Sequence, residues 1–448
     1  MDLPQSFIDK MTKLLGDDSN AFFASLDKPS VKAITLNTNR ISKEDFENTA
    51  DFEHSPIESV DNGYYVENFK FGSHILNHIG AIYSQEPSAM YPVEMLDINP
   101  GDIVLDLCAA PGGKSIQILE KLQNKGLLVS NEIVYNRSKI LYENLTRMGF
   151  KNFAITCNSP KDFENLSVRF DKILVDAPCG GEGMIRKSSF DINSYHPELI
   201  ETNAKRQLSI LNSVKSLLKS GGTLVYSTCT YDIQENEEVV AKFLEENKDF
   251  EIEYKSGFEN ITSAGLKVKT FNTDKTYRRY PHLHSGEGQY MAILKKHGND
   301  TNNYSTTLKA SGYSTISRKD EKVISDTFKD IADIQNIEIY KKNDNFYAIP
   351  DHCIDFENLN VVNIGVLIGT RDKTSFKIHH NFYHSYGDIF QSKIELTLDQ
   401  AKKYLHGETL DTNANNGICV VTYKNASIGG GKITQGTIKN YYPKDLRI

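Results

Sequence analysis

The stretch Ile103-Val-Leu-Asp-Leu-Cys-Ala-Ala-Pro-Gly-Gly-Lys-Ser115 constrains this chain more than any other. A short apolar run from Ile103 to Leu107 carries one carboxylate, Asp106, near its C-terminal end. Pro111, Gly112 and Gly113 break that run, and apolar residues resume at helical spacing from Ser115 to Leu122. The pattern is a buried strand, a tight turn and a helix. Glycines in such a turn let backbone approach a ligand closely, with the N–H groups of the helix pointing at it. A Gly-Gly pair alone is more often the mark of an ordinary turn, so its meaning depends on the rest of the chain.

Downstream, the unit repeats. Residues 126–132, 154–158, 170–176 and 223–229 read as further buried strands, with helices at 137–148, 207–218 and 235–246. Strand alternating with helix predicts an α/β, Rossmann-like domain: a mostly parallel sheet, helices on both faces, and ligands at the C-terminal strand ends. Asp106, Glu132, Asn158, Asp176 and Cys229 all fall at such ends. Residues 286–294 read as the last strand of this domain.

The rest of the 448 residues divides around it. Residues 1–70 predict a small α+β unit that opens on an amphipathic helix over 4–15. The α/β domain takes 71–298, and 299–314, rich in Asn, Thr and Ser, is a linker. Residues 315–448 alternate short strands with Gly- and Asn-containing turns and predict a small α+β or barrel-like domain. No apolar run is long enough to span a bilayer, and the first fifteen residues are too charged for a secretory signal. The six cysteines are scattered without a Cys-x-x-Cys pair, so we expect free thiols in a cytoplasmic protein, with no metal site and no membrane partner. A net charge of −8 disfavours indiscriminate nucleic-acid binding yet leaves room for a local basic surface. We expect a monomer.

Glu132 lies one βα unit beyond the glycine-rich turn, where a carboxylate can accept hydrogen bonds from both hydroxyls of a ribose. The Gly-x-Gly-x-x-Gly spacing is absent, which disfavours NAD or FAD. A ligand with ribose and adenine but no pyrophosphate fits better. Asp176-Ala-Pro-Cys179 and Ser227-Thr-Cys-Thr230 then place two cysteines at the ends of neighbouring strands. A thiolate is a soft nucleophile for an electron-poor ring carbon. Either cysteine alone is as easily a small buried hydrophobe; two opening on one sheet edge favour catalysis. Spacing does not choose between them. Cys108 lines the turn through its backbone, and Cys157, Cys353 and Cys419 read as structural.

A basic stretch from Lys267 to His284, including Lys269, Arg278 and Arg279, is interleaved with Phe271, Tyr277 and Tyr280. Phosphate contact with stacking on unpaired bases is one reading and a solvated loop the other. Arg186 and Lys187, just beyond Cys179, are stronger candidates for substrate phosphate, and Lys439 and Lys444 flank Tyr441 and Tyr442 near the C-terminus.

The segments Asp-Leu-Cys-Ala-Ala-Pro-Gly-Gly-Lys-Ser, Asp-Ala-Pro-Cys-Gly-Gly-Glu-Gly and Ser-Thr-Cys-Thr-Tyr with Glu235-Asn-Glu-Glu238 resemble motifs of the RNA cytosine-5 methyltransferases of the NOL/NOP/Sun class. Gly183-Met-Ile-Arg-Lys187, Arg279-Tyr-Pro-His-Leu-His-Ser-Gly-Glu-Gly288 and Lys439-Asn-Tyr-Tyr-Pro-Lys-Asp-Leu-Arg447 resemble the ribosomal RNA methyltransferase RsmF subgroup. The resemblance covers most of the chain. It implies a Rossmann-like methyltransferase fold, an N-terminal RNA-binding accessory domain and a C-terminal PUA-like RNA-binding domain. It implies S-adenosylmethionine held by Cys108, Ala109, Ala110, Pro111, Gly112, Gly113, Lys114, Glu132, Asn158 and Asp176. It also implies Cys229 as nucleophile, Cys179 as the cysteine that helps release product, and Asp176 at the base. The implied reaction forms 5-methylcytosine in RNA, with small-subunit (16S) ribosomal RNA or the subunit itself as substrate. Transfer RNA with the same chemistry is the alternative, and a non-catalytic ribosome-assembly factor is a third reading. Two departures stand out. Thr35 replaces a frequent arginine, so an N-terminal RNA contact is expected to be lost or moved, and Gly180 replaces the subgroup's usual serine.

Overall fold

The computed structural model describes residues 3–164, 166–187, 196–268, 271–298, 308–372 and 375–448. Its centre is a mixed sheet. In spatial order the strands are Ser263–Ala264, Tyr277–Arg279, Gln289–Lys296, Leu218–Thr228, Phe170–Asp176, Ile103–Asp106, Leu127–Asn131, Phe153–Thr156 and Val361–Ile364, with Phe250–Ile252 also paired to Gln289–Lys296. The five from Leu218–Thr228 to Phe153–Thr156 run parallel, and the flanking strands are antiparallel.

These segments become central strands because they are Val/Leu/Ile runs with apolar neighbours on both faces. Alternation along each strand divides the core in two. Leu105, Val129, Ile173, Leu224 and Tyr226 join one buried cluster, while Val104, Leu128, Leu174, Val225 and Met291 join another. Helices Gly113–Leu122, Tyr135–Arg147, Ile200–Val214 and Glu237–Glu246 connect or follow the parallel strands, as the α/β pattern requires.

The expected boundaries need correction. Val361–Ile364, placed by sequence in the C-terminal domain, pairs with Phe153–Thr156 and covers the edge of the central sheet. An open edge presents a row of unpaired backbone groups, and this strand satisfies them. Residues 315–448 also build two sheets rather than one small domain. The first runs Ser314–Thr315, Glu338–Lys342, Asn345–Ile349, Val366–Arg371, Phe376–Ile378; the second runs Lys393–Glu395, Gly417–Tyr423, Ala426–Thr434, Thr437–Asn440, Leu410–Asp411. The N-terminal sheet extends past residue 70, since Ile82–Ser84 pairs with Ala33–Leu36. Its Ile34, Leu36 and Tyr64 share a buried cluster with Ile428 of the last sheet, Leu396 just beyond that sheet's first strand and Tyr404 on helix Leu398–His406. Of the linker, 299–307 lie outside the described residues, as does Lys269. Leu308 is buried against the central core, and the Tyr313 hydroxyl accepts the Ile364 N–H at 3.1 Å, so 308–314 is docked.

Among the described residues no helix is long and apolar enough to cross a membrane. No group of three or more His, Cys, Asp or Glu side chains among them is arranged to hold a metal ion.

Candidate active site

The C-terminal ends of the parallel strands open onto a cavity of about 620 Å³, whose walls include Cys108, Ala110, Glu132, Asp176, Cys179 and Cys229. The glycine-rich turn forms one wall. Gly112, at φ +117°, turns the chain from strand into helix Gly113–Leu122, a backbone shape that an L side chain rarely adopts. Arg137 Nη2 fixes the turn by donating to Ala110 O at 2.8 Å, and its Nη1 lies 3.3 Å from Glu132 Oε2. Glu132 is buried, and its Oε1 accepts the Val134 N–H at 3.0 Å. Beside it Ile133, 62% exposed, presents an apolar surface at the rim. Asp106 lies deeper, accepts from Ser115 Oγ at 2.7 Å, and is pushed up to about 7 by burial.

The two cysteines meet across the other wall. Their sulfurs are 3.3 Å apart, and the Cys229 N–H also lies 3.3 Å from Cys179 Sγ. The hydrogen bond to the Cys229 sulfur, then burial, holds the Cys179 thiol well above its ordinary range. Close by, Asp176 accepts from Lys114 Nζ at 2.7 Å and from Ser227 Oγ at 2.6 Å. Burial pulls the Lys114 ammonium down, but Asp176 outweighs it and the group ends above its ordinary value. A smaller cavity of about 180 Å³ adjoins this pair and is walled by Gln85, Glu86, Lys114, Asp176 and Lys187 among others.

Glu235, Asn236 and Glu237 supply the bracing. Gln207 Nε2 donates to Pro178 O at 3.0 Å and to Glu235 Oε2 at 2.7 Å, and the same carboxylate oxygen accepts the Gly180 N–H at 3.2 Å. The backbone on both sides of Cys179 is thereby pinned. Asn236 accepts from Thr228 Oγ1 at 2.5 Å and donates to Thr230 O at 2.9 Å, which pins both sides of Cys229. Glu237 takes the Arg278 guanidinium in a two-point pair. The Glu-Asn-Glu run and the Ser227-Thr-Cys segment are visible in the sequence; Gln207 and Arg137 carry no local signal and emerge only from the fold.

The structure gathers Cys108, Ala109, Ala110, Pro111, Gly113, Lys114, Glu132, Asp176, Cys179, Lys187 and Cys229 around these two cavities. Other expectations are corrected. Arg278 and Arg279 are each 2% exposed and face inward: Arg278 is bound to Glu237, while Arg279 donates to Ser88 Oγ and Ser285 O and lies over the Tyr91 ring. They anchor the sheet edge and cannot reach RNA phosphate. Arg186 is likewise turned inward, donating to Glu287 Oε2 at 3.0 Å. The Asn158 side chain is taken up by the Asn360 backbone, donating to its O at 3.1 Å and accepting its N–H at 2.9 Å, so Ser159 and Pro160 line the cavity there instead. Thr35 is buried and donates to Gln85 Oε1 at 2.8 Å, so this position supports the small cavity and is not an RNA-facing surface. Lys439 and Lys444 are exposed on the last sheet and the turn beyond it.

Three family regions match in order along the chain: the N-terminal domain of 16S rRNA methyltransferase RsmF over 3–87, 16S rRNA methyltransferase RsmB/F over 93–295, and the methyltransferase RsmF PUA domain over 391–448. The ribosomal RNA small subunit methyltransferase F of Psychromonas ingrahamii is 31% identical, over 99% of this chain and 97% of the relative. A methyltransferase homolog protein from Pyrococcus horikoshii superposes with a TM-score of 0.58 at 30% identity, covering 65% of this chain and 95% of that one. NSun6 from Pyrococcus horikoshii, solved with SFG, superposes at 0.57 and 22% identity, over 66% of this chain and 99% of that one. The central sheet is a methyltransferase fold and the last sheet lies in a PUA domain. Matched in order by three family regions and end to end by a relative, the chain belongs to the 16S ribosomal RNA methyltransferase RsmB/F family, in its small subunit methyltransferase F branch.

Proposed function

We propose that this protein transfers a methyl group to carbon 5 of a cytosine in small-subunit ribosomal RNA, through a transient bond from Cys229 to carbon 6 of the base. The observation that carries the reading is the pair of thiols 3.3 Å apart beside the Lys114–Asp176 ion pair, in the cavity that Glu132 also lines. Names of relatives favour small-subunit ribosomal RNA over transfer RNA.

The cavity residues fit S-adenosylmethionine. The buried Glu132 carboxylate suits the ribose hydroxyls, the exposed Ile133 beside it suits a flat purine, and the turn from Cys108 to Lys114 brings backbone close. NSun6, with the same fold, was solved with SFG, an analogue of that cofactor. When bound, S-adenosylmethionine supplies an electrophilic methyl on a sulfonium.

Cytosine carbon 5 is a poor nucleophile until a thiolate adds at carbon 6. Attack by the Cys229 sulfur forms the S–C6 bond and pushes electron density towards carbon 5. In the proposed reaction Asp176, held between Lys114 and Ser227, accepts a hydrogen bond from the ring nitrogen in its protonated form as that density moves. After methyl transfer a water in the open cavity accepts the carbon 5 proton, the C–H electron pair re-forms the C5–C6 double bond, and the S–C6 pair leaves on the Cys229 sulfur. Cys179, kept as a thiol against that sulfur, donates to it as it leaves. The target base must be unstacked to enter. Lys187 at the small cavity and Lys439 and Lys444 on the last domain are the proposed phosphate contacts, in a cytoplasmic monomer.

The test is methyl transfer from labelled cofactor to 16S ribosomal RNA, small subunits and transfer RNA, with nucleoside analysis of the product. 5-Methylcytidine in the ribosomal substrate is expected. Label on another nucleoside overturns the chemistry, label on transfer RNA alone overturns the substrate, and no label on any RNA favours a non-catalytic assembly role.

A further inference from the structure

The loops that carry the two cysteines are joined to each other, and to the N-terminal helices, by one carboxylate. Glu182, in the loop after Cys179, is 1% exposed. Its Oε2 accepts from Thr230 Oγ1 at 3.1 Å and from the Tyr231 N–H at 3.2 Å, both on residues just after Cys229 in the chain. The neighbouring Gly183 N–H donates to Cys229 O at 2.8 Å. A Cβ on Gly183 would lie 2.9 Å from that oxygen and 2.6 Å from Gly288 O, so contact this close needs glycine.

The other oxygen of Glu182 is met by Lys10, on helix Gln5–Leu15, which also reaches Asp232 Oδ2 at 3.4 Å. Helix Ser19–Leu26, which follows, adds apolar contact: Phe22 stands edge-on to Tyr231 with ring centroids 5.2 Å apart, and Phe7, Met11 and Ile185 share their cluster. Lys10 is therefore the cation between two buried carboxylates, one on each cysteine loop. Remove it and Glu182 and Asp232 keep neutral donors from the loop after Cys229 but lose the cation between them, in surroundings where an unpaired charge is strongly unfavourable. Parting of the loops is the available relief.

We propose that Lys10 is a positioning residue, which ties the loop after Cys179 to the loop after Cys229 and so sets the spacing of the two sulfurs. For its effect on turnover this rests on the reaction proposed above; for thiol spacing it does not.

The experiment compares wild type, Lys10→Met and Lys10→Arg as full-length chains. Iodoacetamide alkylation of Cys179 and Cys229, followed by mass spectrometry, reads loop geometry without any RNA. In Lys10→Met, alkylation of Cys179 is expected to rise about fivefold or more as its sulfur loses its cover. Turnover with ribosomal RNA is expected to fall about tenfold with KM for RNA unchanged, and Lys10→Arg restores both. Should Lys10→Met not fold, Lys10→Gln is read in the same way. Wild-type alkylation rates in the neutral variant overturn the inference, as does a rise in KM alone, which would make Lys10 an RNA contact. If wild type transfers no methyl yet the alkylation difference persists, the reaction reading fails and the positioning role stands.

Discussion

The Cys179 and Cys229 sulfurs lie 3.3 Å apart, and that contact, with burial, pushes the Cys179 thiol up. Under the proposed reaction Cys229 attacks and Cys179 assists its departure, a division of roles that spacing in the sequence leaves open. Cys229→Ala is expected to reduce methyl transfer by about 10⁴-fold or more, as loss of a nucleophile does, and to form no adduct. Cys179→Ala is expected to accumulate a protein–RNA adduct visible on a denaturing gel. An adduct in the first variant and none in the second would exchange the two roles.

Lys114 gives a second prediction. It lines the smaller cavity and donates at 2.7 Å to Asp176, which lines both cavities, so its charge can act on density developing on the base. Lys114→Gln keeps a donor but removes the cation. Turnover is expected to fall about 10²- to 10³-fold, the range for loss of one preorganised electrostatic contact. Cofactor affinity, measured by titration calorimetry, should change less, because Glu132 and the turn backbone remain. Unchanged turnover would remove Lys114 from the chemistry.

The parallel strands were legible in the sequence because their signal is local: each is a short apolar run with a carboxylate, amide or cysteine at its end. Asp106, Glu132, Asp176 and Cys229 could be placed on one edge without knowing any long-range contact. What escaped depends on partners far along the chain. Val361–Ile364 joins the central sheet by pairing with Phe153–Thr156, about two hundred residues earlier, and the same docking takes the Asn158 side chain away from the cavity. Arg278 and Arg279 read as a basic surface because local pattern cannot show Glu237 or Ser88 waiting inside. The burial of Thr35 was hidden for a similar reason, since its partner Gln85 comes fifty residues later, just after the strand that pairs with its own.

The inward turn of Arg278 is itself testable against Lys187. Arg278 is fully enclosed and makes a two-point pair with Glu237, so Arg278→Met leaves a buried carboxylate alone. A loss of about 3–5 kcal/mol is expected, the range for breaking one partner of a buried ion pair, read from urea unfolding. Lys187→Ala should leave stability unchanged and lower the dependence of RNA affinity on salt by about one phosphate contact. If Arg278→Met folded normally and instead weakened RNA binding, the inward assignment would be wrong.

Glu235 ties stability to pH with a definite sign. It is fully buried, and burial pushes its carboxyl from an ordinary 4.5 up to about 7, with Glu182 and Asp232 adding to the rise and Gln207 and the Gly180 N–H opposing it. Between pH 4.5 and 7 the folded chain therefore holds a proton here that the unfolded chain has lost. Folding is favoured by that difference at low pH, and the advantage disappears as pH rises through 7. One pKa unit is about 1.4 kcal/mol, so the swing is on the order of 3 kcal/mol. Glu235→Gln keeps an oxygen for Gln207 and Gly180 but cannot ionise. Relative to wild type it is expected to gain stability between pH 5 and pH 7 and then to level off, measured by urea midpoints at several values from pH 5 to pH 8. Because Glu235 pins the backbone beside Cys179, the same variant should also flatten the pH dependence of methyl transfer near neutrality. A constant offset between the two proteins across the window would show that Glu235 stays ionised in the fold.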